Sequence, residues 1–380
     1  MSPSPRYSSD FADDTRLSNG GRLSQQFHID VPMLVALLTL AFVGLIVMYS
    51  AGGQDGGAVW RQFFLLFIGF AVMSVIAQIH PTTLKIWTPW IFGAGLLMLF
   101  IVLLAGEIGK GAQRWLNIAG FRFQPSEIMK IALPMMIAWY LAESVLPPRR
   151  ARLLICSVIL VVPVALVAKQ PDLGTALLIA SSGIFALFLS GVRWRLIISL
   201  LTIAAACIPF AWGALHDYQR QRVYTFLNPE SDPLGSGYHI IQSTIAIGSG
   251  GVYGKGWLNG TQSHLDFLPE RETDFIFAVL SEEFGFMGVL ILLAIYLFIT
   301  ARGLLIASQA QDTFTRLLAG SLSLTFFVYF FVNIGMVSGL LPVVGVPLPL
   351  ISRGGTSLVT IMAGFGILMS IKTNRKLVSH

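Results

Sequence analysis

The stretch PERETDFIFAVLSEEFG, Pro269 to Gly285, joins a charged segment directly to an apolar one. Its first six residues carry four charged side chains, and the apolar run follows at once. Similar runs recur along the whole chain, each with roughly the 18–25 residues that cross a ~30 Å hydrocarbon layer as a helix. The stretch therefore predicts a polar rim at the start of a membrane span.

The composition agrees with a membrane protein. Of the 380 residues, 55% are hydrophobic and 12% are charged, whereas soluble domains carry about 25% charged residues. The net charge of +6 is expected to reflect membrane topology and contact with anionic lipids. We therefore predict a polytopic membrane protein with no nucleic-acid partner.

We predict an all-α fold of about ten transmembrane helices in a single membrane domain, residues 31–373. The spans lie near residues 31–51, 59–79, 83–105, 126–146, 152–169, 172–191, 194–214, 272–301, 314–337 and 354–372. An even number of spans places both tails, residues 1–30 and 374–380, on one side, and the first tail is expected to be disordered. Basic residues crowd the short loops on that side, which the positive-inside rule assigns to the cytoplasm.

The opposite loops also carry cations, which membrane orientation does not require. Residues 215–271 are predicted to form a large extracytoplasmic loop that contains Arg220, Arg222 and Arg271, and residues 106–125 contain Arg114. Plain solvation explains such residues, and so does a negatively charged ligand at the outer face. The sequence leaves both explanations open.

An interrupted apolar segment precedes the last span. Residues 338–353, SGLLPVVGVPLPLISR, contain three prolines and two glycines, a density that a regular helix does not tolerate. Irregular backbone at membrane depth survives where it is buried in protein or lines a wet cavity. We therefore predict a re-entrant segment beside an outward-facing cavity.

Four helix starts are predicted to point towards the outer face. They are marked by QPSE at 124–127, QPDLGT at 170–175, PERETD at 269–274 and SRGGTS at 352–357. Proline or a capping side chain in the first turn is typical of helix N-termini. Their free N–H groups and positive dipole ends favour phosphate, although ordinary capping accounts for each one taken singly.

Carboxylates near the spans are the candidate chemical groups, because charges inside a membrane are costly and usually functional. Asp274 is expected in the first turn of a helix that starts near Pro269 or Thr273, where the helix dipole and Arg271 would keep it ionised. Such a carboxylate can take a proton from a hydroxyl, while capping is the alternative. Glu127 and Lys130 share one helix face, as a structural ion pair, a ligand contact or both.

Other polar motifs point to structure. Glu282 and Glu283 are expected to hydrogen-bond to adjacent helices. The run GSGGVYGKGW, Gly248 to Trp257, fails as a phosphate loop because Ser249 and Gly256 stand where the motif needs glycine and Ser or Thr. No metal-ligand spacing is readable.

Several long motifs resemble the SEDS family (shape, elongation, division and sporulation), and they cover nearly the whole chain after the first tail. They include GAQRWLNIAGFRFQPSEIMK, KQPDLGTAL, NPESDPLGSGYHIIQS, LPERETDFIFAV and LPVVGVPLPLISRGG. The RodA-like elongation branch fits better than the FtsW-like division branch. Arg353 departs from the family, which often has an aromatic residue at that place.

The resemblance implies a peptidoglycan glycosyltransferase that polymerises lipid II on the outer face of the cytoplasmic (inner) membrane during cell elongation and rod-shape maintenance. It implies Asp274 as the catalytic residue and general base, with inversion at the sugar. It also implies a class B penicillin-binding protein transpeptidase as partner, together with other elongation proteins. The candidate substrate-binding residues are Arg61, Arg114, Glu127, Lys130, Arg220, Arg222, Glu270, Arg271 and Arg353. A divalent cation, Mg or Mn, is possible.

Two other functions fit parts of the sequence. Broken helices and buried charges are also typical of transporters, so a lipid II flippase is the main alternative. A scaffold that only recruits the transpeptidase is the second. A transporter would place its key charges near the membrane midplane, whereas Asp274 and the arginines are expected near the outer boundary; Lys130 and the buried glutamates do not discriminate between the two.

Overall fold

The computed structural model describes residues 28–109, 112–118, 121–193, 217–231, 236–261 and 270–374, with scattered positions between 194 and 216. These residues form α-helices, one small sheet and an irregular segment at 338–354. The helices are α1 Val31–Ala51, α2 Gly56–Ala77, α3 Pro81–Ala105, α4 Pro125–Ala142, α5 Arg150–Lys169, α6 Leu173–Leu189, α7 Asp217–Leu227, α8 Ser236–Ser249, α9 Ile276–Ser308, α10 Thr313–Val337 and α11 Gly355–Thr373. The strands are β1 Glu107–Gly109, β2 Ala112–Ile118 and β3 Phe121–Phe123.

The helices confirm a polytopic helical membrane protein. Within the described residues, seven helices are long and apolar enough to cross a membrane, and α6 is a shorter apolar helix. Helix α4 is less apolar because it carries the buried residues Glu127 and Lys130. The predicted span at 194–214 lies largely outside the described residues. The antiparallel strands β1, β2 and β3 are a local exception to the all-α prediction, in a segment that we predicted only as a loop.

Helix starts follow the capping chemistry of the sequence. The Asp30 side chain accepts from Met33 N at 3.0 Å, and the Asp172 side chain accepts from Thr175 N at 3.2 Å. Each bond satisfies one amide that the helix itself leaves without a partner. Helix α4 begins directly at a proline, Pro125, which has no amide hydrogen to satisfy.

The core lies around α10 and α11. In the most apolar 18-residue stretch of each helix, 72% of α10 and 61% of α11 is buried, against 17% of α5. Aromatic packing joins the central helices: Tyr296 on α9 stacks on Phe330 of α10 at 4.7 Å, and Phe326 of α10 meets Phe365 of α11 at 5.0 Å. The outer helices therefore present their apolar faces to lipid, and the inner ones fix the geometry of the site.

Helix α9 is broken at Gly285, where φ is 63° and ψ is −164°. The break frees backbone groups on both sides, and residues 250–256 fill the gap. The four resulting bonds are Lys255 N to Glu282 O (3.0 Å), Gly256 N to Glu283 O (3.0 Å), Phe286 N to Gly251 O (2.9 Å) and Met287 N to Val252 O (3.0 Å). The glycine-rich run is thus a backbone plug for a helix break.

The buried glutamates of α9 hold the same region together. Glu282 Oε1 accepts from Lys255 Nζ at 2.7 Å and from Thr261 N at 2.9 Å. Glu283 accepts from the hydroxyl of Ser50 on α1. The bond to α1 confirms the prediction for Glu283, and the described partners of Glu282 lie in the segment that follows α8.

Candidate active site

Asp274 lies in a turn just before α9. The helix begins at Ile276, not at Pro269 or Thr273 as predicted, so Asp274 precedes the first helical turn. The reason is a tight turn at Glu270, whose φ is +56° and whose carbonyl accepts from Thr273 N at 3.0 Å. The carboxylate is therefore held just beyond the positive end of the helix.

Three successive carbonyls of this turn are held by distant parts of the chain. Arg353 N donates to Glu272 O at 2.9 Å, and Ser352 Oγ donates to Thr273 O at 2.5 Å. On α10, Asn333 Nδ2 donates to Asp274 O at 2.9 Å. The backbone on both sides of the Asp274 carboxylate is thereby fixed against the end of the 338–354 segment and against α10.

Between α10 and α11, residues 338–354 contain no regular helix. Asn333 Nδ2 also donates to Val346 O at 2.7 Å, and Tyr296 OH donates to Pro349 O at 2.7 Å. Gly345 has φ +72°, and a Cβ added to it would lie 3.5 Å from Asp274 Oδ2. The positive φ explains the glycine, and the short distance shows that the segment passes directly beside the carboxylate.

The turn and the segment border a cavity of about 770 Å³. Six of the predicted site residues line it: Arg114, Glu127, Lys130, Glu270, Asp274 and Arg353. Polar residues that we did not assign to the site line it as well: Glu107, Gln124, Asp172, Thr175, Thr273, Thr356 and Ser357. The cavity thus gathers residues from β1 to α11 around Asp274.

Each of the three cationic side chains among the described lining residues has an acidic partner. Lys130 Nζ lies 2.7 Å from Glu127 Oε1, with both side chains buried. Arg353 Nη1 lies 2.9 Å from Glu272 Oε2.

Arg114 is held by two groups at the start of α6. Its Nε lies 3.4 Å from Asp172 Oδ2, and its Nη2 donates to Pro171 O at 3.1 Å. Gln124 Nε2 donates to the same Asp172 oxygen at 3.2 Å. Among the described lining residues there are three cationic side chains and five carboxylates, so the described part of the wall is acidic.

The remaining predicted residues lie elsewhere. Arg61 is exposed and 3.7 Å from Asp55, while Arg220 donates to Gly213 O at 2.9 Å. Arg271 approaches Gly53, where an added Cβ would lie 3.7 Å from its Nη2. None of these three arginines is among the described lining residues. The side chain of Arg222 lies outside the described residues.

His239 of α8 packs behind the Asp274 turn. Its ring stacks on Phe275 with centroids 5.5 Å apart and an interplanar angle of 18°. Burial lowers the pKa of His239 below its usual 6.5, and the charge of Glu270 opposes that shift. The ring is therefore held mostly neutral beside the residue that follows Asp274.

Sequence reasoning missed Asn333 and Asp172 as parts of the site. Asn333 is fully buried inside the apolar run of α10, and a lone buried amide in a span is a signal that could have found it. Asp172 was identified only as a helix start. Within the described residues, no three His, Cys, Asp or Glu side chains are grouped to hold one metal ion.

Comparisons with known proteins give consistent matches. The FTSW_RODA_SPOVE family model, described as a cell cycle protein, matches residues 30–377. The peptidoglycan glycosyltransferase MrdB of Escherichia coli K12 is 56% identical over 353 residues, covering 93% of this chain and 95% of its own length. The peptidoglycan glycosyltransferase RodA of Treponema pallidum is 33% identical, covering 91% and 98%.

Solved structures agree. A chain from a peptidoglycan synthase complex, studied for the coordination of polymerization and crosslinking, superposes with a TM-score of 0.80 at 31% identity, covering 92% of this chain and 98% of its own. Thermus thermophilus RodA, a rod shape determining protein, superposes with a TM-score of 0.70 at 26% identity, covering 91% and 97%.

Proposed function

Because this chain belongs to the family of FtsW, RodA and SpoVE cell cycle proteins, the SEDS family that its motifs resemble, we propose that it is a peptidoglycan glycosyltransferase of cell elongation. It polymerises lipid II into glycan strands. The relative at 56% identity carries the name of this activity. The observation that carries the proposal is the position of Asp274, which lines a polar cavity and whose backbone carbonyl is held by Asn333.

Asp274 acts as the general base in this proposal. Lipid II is a disaccharide-peptide on undecaprenyl pyrophosphate, and its acceptor hydroxyl loses a proton as it attacks the anomeric carbon of the growing chain. The carboxylate takes that proton, an effect worth roughly 10²–10⁴-fold in rate. Attack opposite the leaving pyrophosphate inverts the anomeric centre.

Arg114, Lys130 and Arg353 are the cations placed to meet the leaving pyrophosphate. Each is paired with a carboxylate in this structure, so phosphate oxygens would have to compete with those carboxylates. The acidic excess of the wall also suits a divalent cation, Mg or Mn. Such an ion would be held by one or two cavity carboxylates together with phosphate oxygens, as Mg²⁺ usually is, and would offset charge on the leaving group.

The cavity faces the outer side of the cytoplasmic membrane in this proposal, and both termini lie in the cytoplasm. The support is the excess of Arg and Lys in the short loops at the opposite end of the spans. A class B penicillin-binding protein is the proposed partner. A structural relative at 31% identity belongs to a complex that combines polymerization with crosslinking.

Replacement of Asp274 tests the proposal. In a polymerisation assay with purified protein, lipid II and the transpeptidase, Asp274→Asn should lower the rate by about 10²-fold or more. Its thermal stability and partner binding should stay unchanged. The matched control is Glu143→Gln, which removes a carboxylate that is exposed far from the cavity and should leave polymerisation intact.

Normal chain growth by Asp274→Asn would end the assignment of the base. Movement of lipid II across vesicle membranes without polymerisation by the wild-type protein would instead favour the flippase alternative.

A further inference from the structure

Five arginines lie at the ends of α5 and α6 that point away from the polar cavity. Helix α6 starts at the cavity wall, next to Asp172, and α5 ends close by at Lys169. The other ends of the two helices are roughly 25–30 Å away, at 1.5 Å per residue. The arginines lie there, at the start of α5 and in the segment that follows α6. We call them the arginine cluster: Arg149, Arg150, Arg152, Arg193 and Arg195.

The two halves of the arginine cluster lie side by side because α5 and α6 pack against each other. Gly191, just after α6, has φ +81°, and a Cβ added to it would lie 3.9 Å from Pro147 Cβ, just before α5. Further along the helices, a Cβ added to Gly183 would lie 2.9 Å from Leu160 Cδ1. The arginines at 149–152 and those at 193–195 therefore share one end of a closely packed helix pair.

The arginine cluster differs from the other cations at this end of the spans in having no acidic partner. None of its five members forms an ion pair within the part of the chain that the structure describes. The sequence has no Asp or Glu at 144–171 or at 173–216. By contrast, Lys85 lies 4.0 Å from Glu143, and Arg302 lies 2.7 Å from Asp30. The cluster is therefore a concentrated positive charge that the described residues do not compensate.

Exposed apolar side chains continue from the arginine cluster along both helices. Leu154 and Val158 of α5 are exposed, as are Ile184 and Phe188 of α6. Helix α5 is only 17% buried in its most apolar stretch. In a membrane these side chains lie at the depth of the acyl chains, one or two helical turns from the arginines. Cations at the boundary above an apolar surface match an amphiphile with an anionic headgroup.

We propose that the arginine cluster binds cardiolipin, an anionic lipid with two phosphates in one headgroup, at the membrane surface opposite the polar cavity. The arginines at 149–152 hold one phosphate, and those at 193–195 hold the other. Guanidinium groups bind phosphate oxygens in pairs, and basic surfaces between helices are typical sites for such headgroups. A lipid with a single phosphate would meet only one of the two groups. In the orientation proposed above, the site lies in the cytoplasmic leaflet, and it does not depend on the reaction at Asp274.

Lipid titration followed by native mass spectrometry tests the proposal. The full-length protein is purified, freed of lipid in detergent and titrated with cardiolipin, with phosphatidylglycerol or with phosphatidylethanolamine. We expect cardiolipin to bind about tenfold or more tightly than phosphatidylglycerol, because it meets both groups of arginines. In a second measurement, wild-type protein is extracted together with its surrounding membrane. Its lipids should be enriched in cardiolipin relative to the bulk membrane.

Two double variants remove the two halves of the cluster separately: Arg149→Gln with Arg150→Gln, and Arg193→Gln with Arg195→Gln. Each should weaken cardiolipin binding by about tenfold or more, equivalent to about 1.4 kcal/mol, with an unchanged melting temperature because all four side chains are exposed. The control, Lys169→Gln with Lys372→Gln, also removes two cations. Lys169 lies at the other end of α5, and Lys372 of α11 donates to Gln309 at 3.1 Å. This control should bind cardiolipin like the wild-type protein.

Phosphatidylglycerol that binds as tightly as cardiolipin would overturn the proposal, and so would unchanged cardiolipin binding by either folded glutamine variant. Weakened binding by the control would do the same, since it would show an effect of net charge alone. Should a glutamine variant fail to fold, the lipid content of the extracted wild-type protein decides the question. An extract without cardiolipin enrichment, in which an acidic protein accompanies the chain, would identify a protein interface instead and overturn the proposal. Lipid II polymerisation is not measured here, so failure of the proposed function would leave each of these results standing.

Discussion

Asn333 should govern the rate of the reaction without touching the substrate. It is fully buried, and its single Nδ2 group bridges Asp274 O at 2.9 Å and Val346 O at 2.7 Å. This amide therefore ties the turn that carries Asp274, the proposed base, to the segment that passes beside it. We classify Asn333 as a positioning residue and predict the effect of Asn333→Ala.

The energetic effect follows from the two bonds. Asn333→Ala leaves two buried carbonyls without this donor, at about 1–3 kcal/mol each. Part of that loss is recovered because the buried Asn333 Oδ1 has no hydrogen-bond partner within the described residues and disappears with the side chain. A net loss of about 2–4 kcal/mol is expected. A displacement of the base by about 1 Å would cost about 10²-fold in rate.

Tyr296→Phe is the matched control. It removes one buried donor to the same segment, at Pro349 O, and should cost about 1–3 kcal/mol. It leaves the Asp274 carbonyl untouched. Both variants should therefore lower the melting temperature in detergent, but only one should move the base.

The assay is lipid II polymerisation at several substrate concentrations, with the transpeptidase present. Asn333→Ala should lower kcat by about 10–100-fold, with KM changed by less than about threefold, because the cavity cations remain in place. Tyr296→Phe should keep kcat within about threefold of wild type. The reasoning is refuted if the two variants lose kcat in proportion to their loss of stability, or if Asn333→Ala keeps wild-type kcat.

Two further predictions concern the region behind the site. Gly254→Ala should destabilise the protein by at least about 2 kcal/mol, because Gly254 has φ +80° and an added Cβ would lie 2.1 Å from Glu283 O. The control Gly248→Ala, where an added Cβ has nothing within 4 Å, should not lower the melting temperature. Equal melting temperatures of the two variants would contradict the role of residues 250–256 as a plug for the break in α9. Burial lowers the pKa of His239 in the folded protein below 6.5. The stability that the neutral ring contributes is therefore complete above about pH 6.5, and it is lost as the pH falls towards the pKa of His239 in the folded protein. His239→Phe should therefore reduce the drop in melting temperature between about pH 7.5 and about pH 5.5, whereas the control Tyr238→Phe should not. A drop in His239→Phe as large as in the wild-type protein would contradict this explanation.

Hydrophobic periodicity and capping predicted the spans well. The start of α1 at Val31 was predicted to the residue, and α4 and α6 begin within one residue of their predicted starts. Long apolar runs and first-turn prolines are local signals. They suffice to predict the spans because backbone groups in a membrane must hydrogen-bond to each other, which leaves the helix as the main available structure. The predicted start of α9 was wrong because the turn at Glu270 needs a positive φ, which the local sequence does not indicate.

The candidate site was harder to predict because its contacts are distant in sequence. Nothing local shows that Arg114 would pair with Asp172, which lies 58 residues later in the chain. The sequence shows which cations exist near helix ends, and the tertiary fold decides which of them meet. Asp274 was singled out because its carboxylate, its neighbours and its motif all lie in one short stretch.

The position of Asp274 just before α9, and not within it, has a physical consequence for catalysis. In a regular helix its carbonyl would accept from the amide four residues later, but Ala278 N donates to Phe275 O at 3.0 Å instead. The Asp274 carbonyl is thereby available to Asn333 on α10. Asp274, the proposed base, is therefore positioned by three elements that meet only in the folded chain, so a shift of α10 or of the 338–354 segment would move its carboxylate. A partner that binds either element could change the reaction rate through this backbone contact alone.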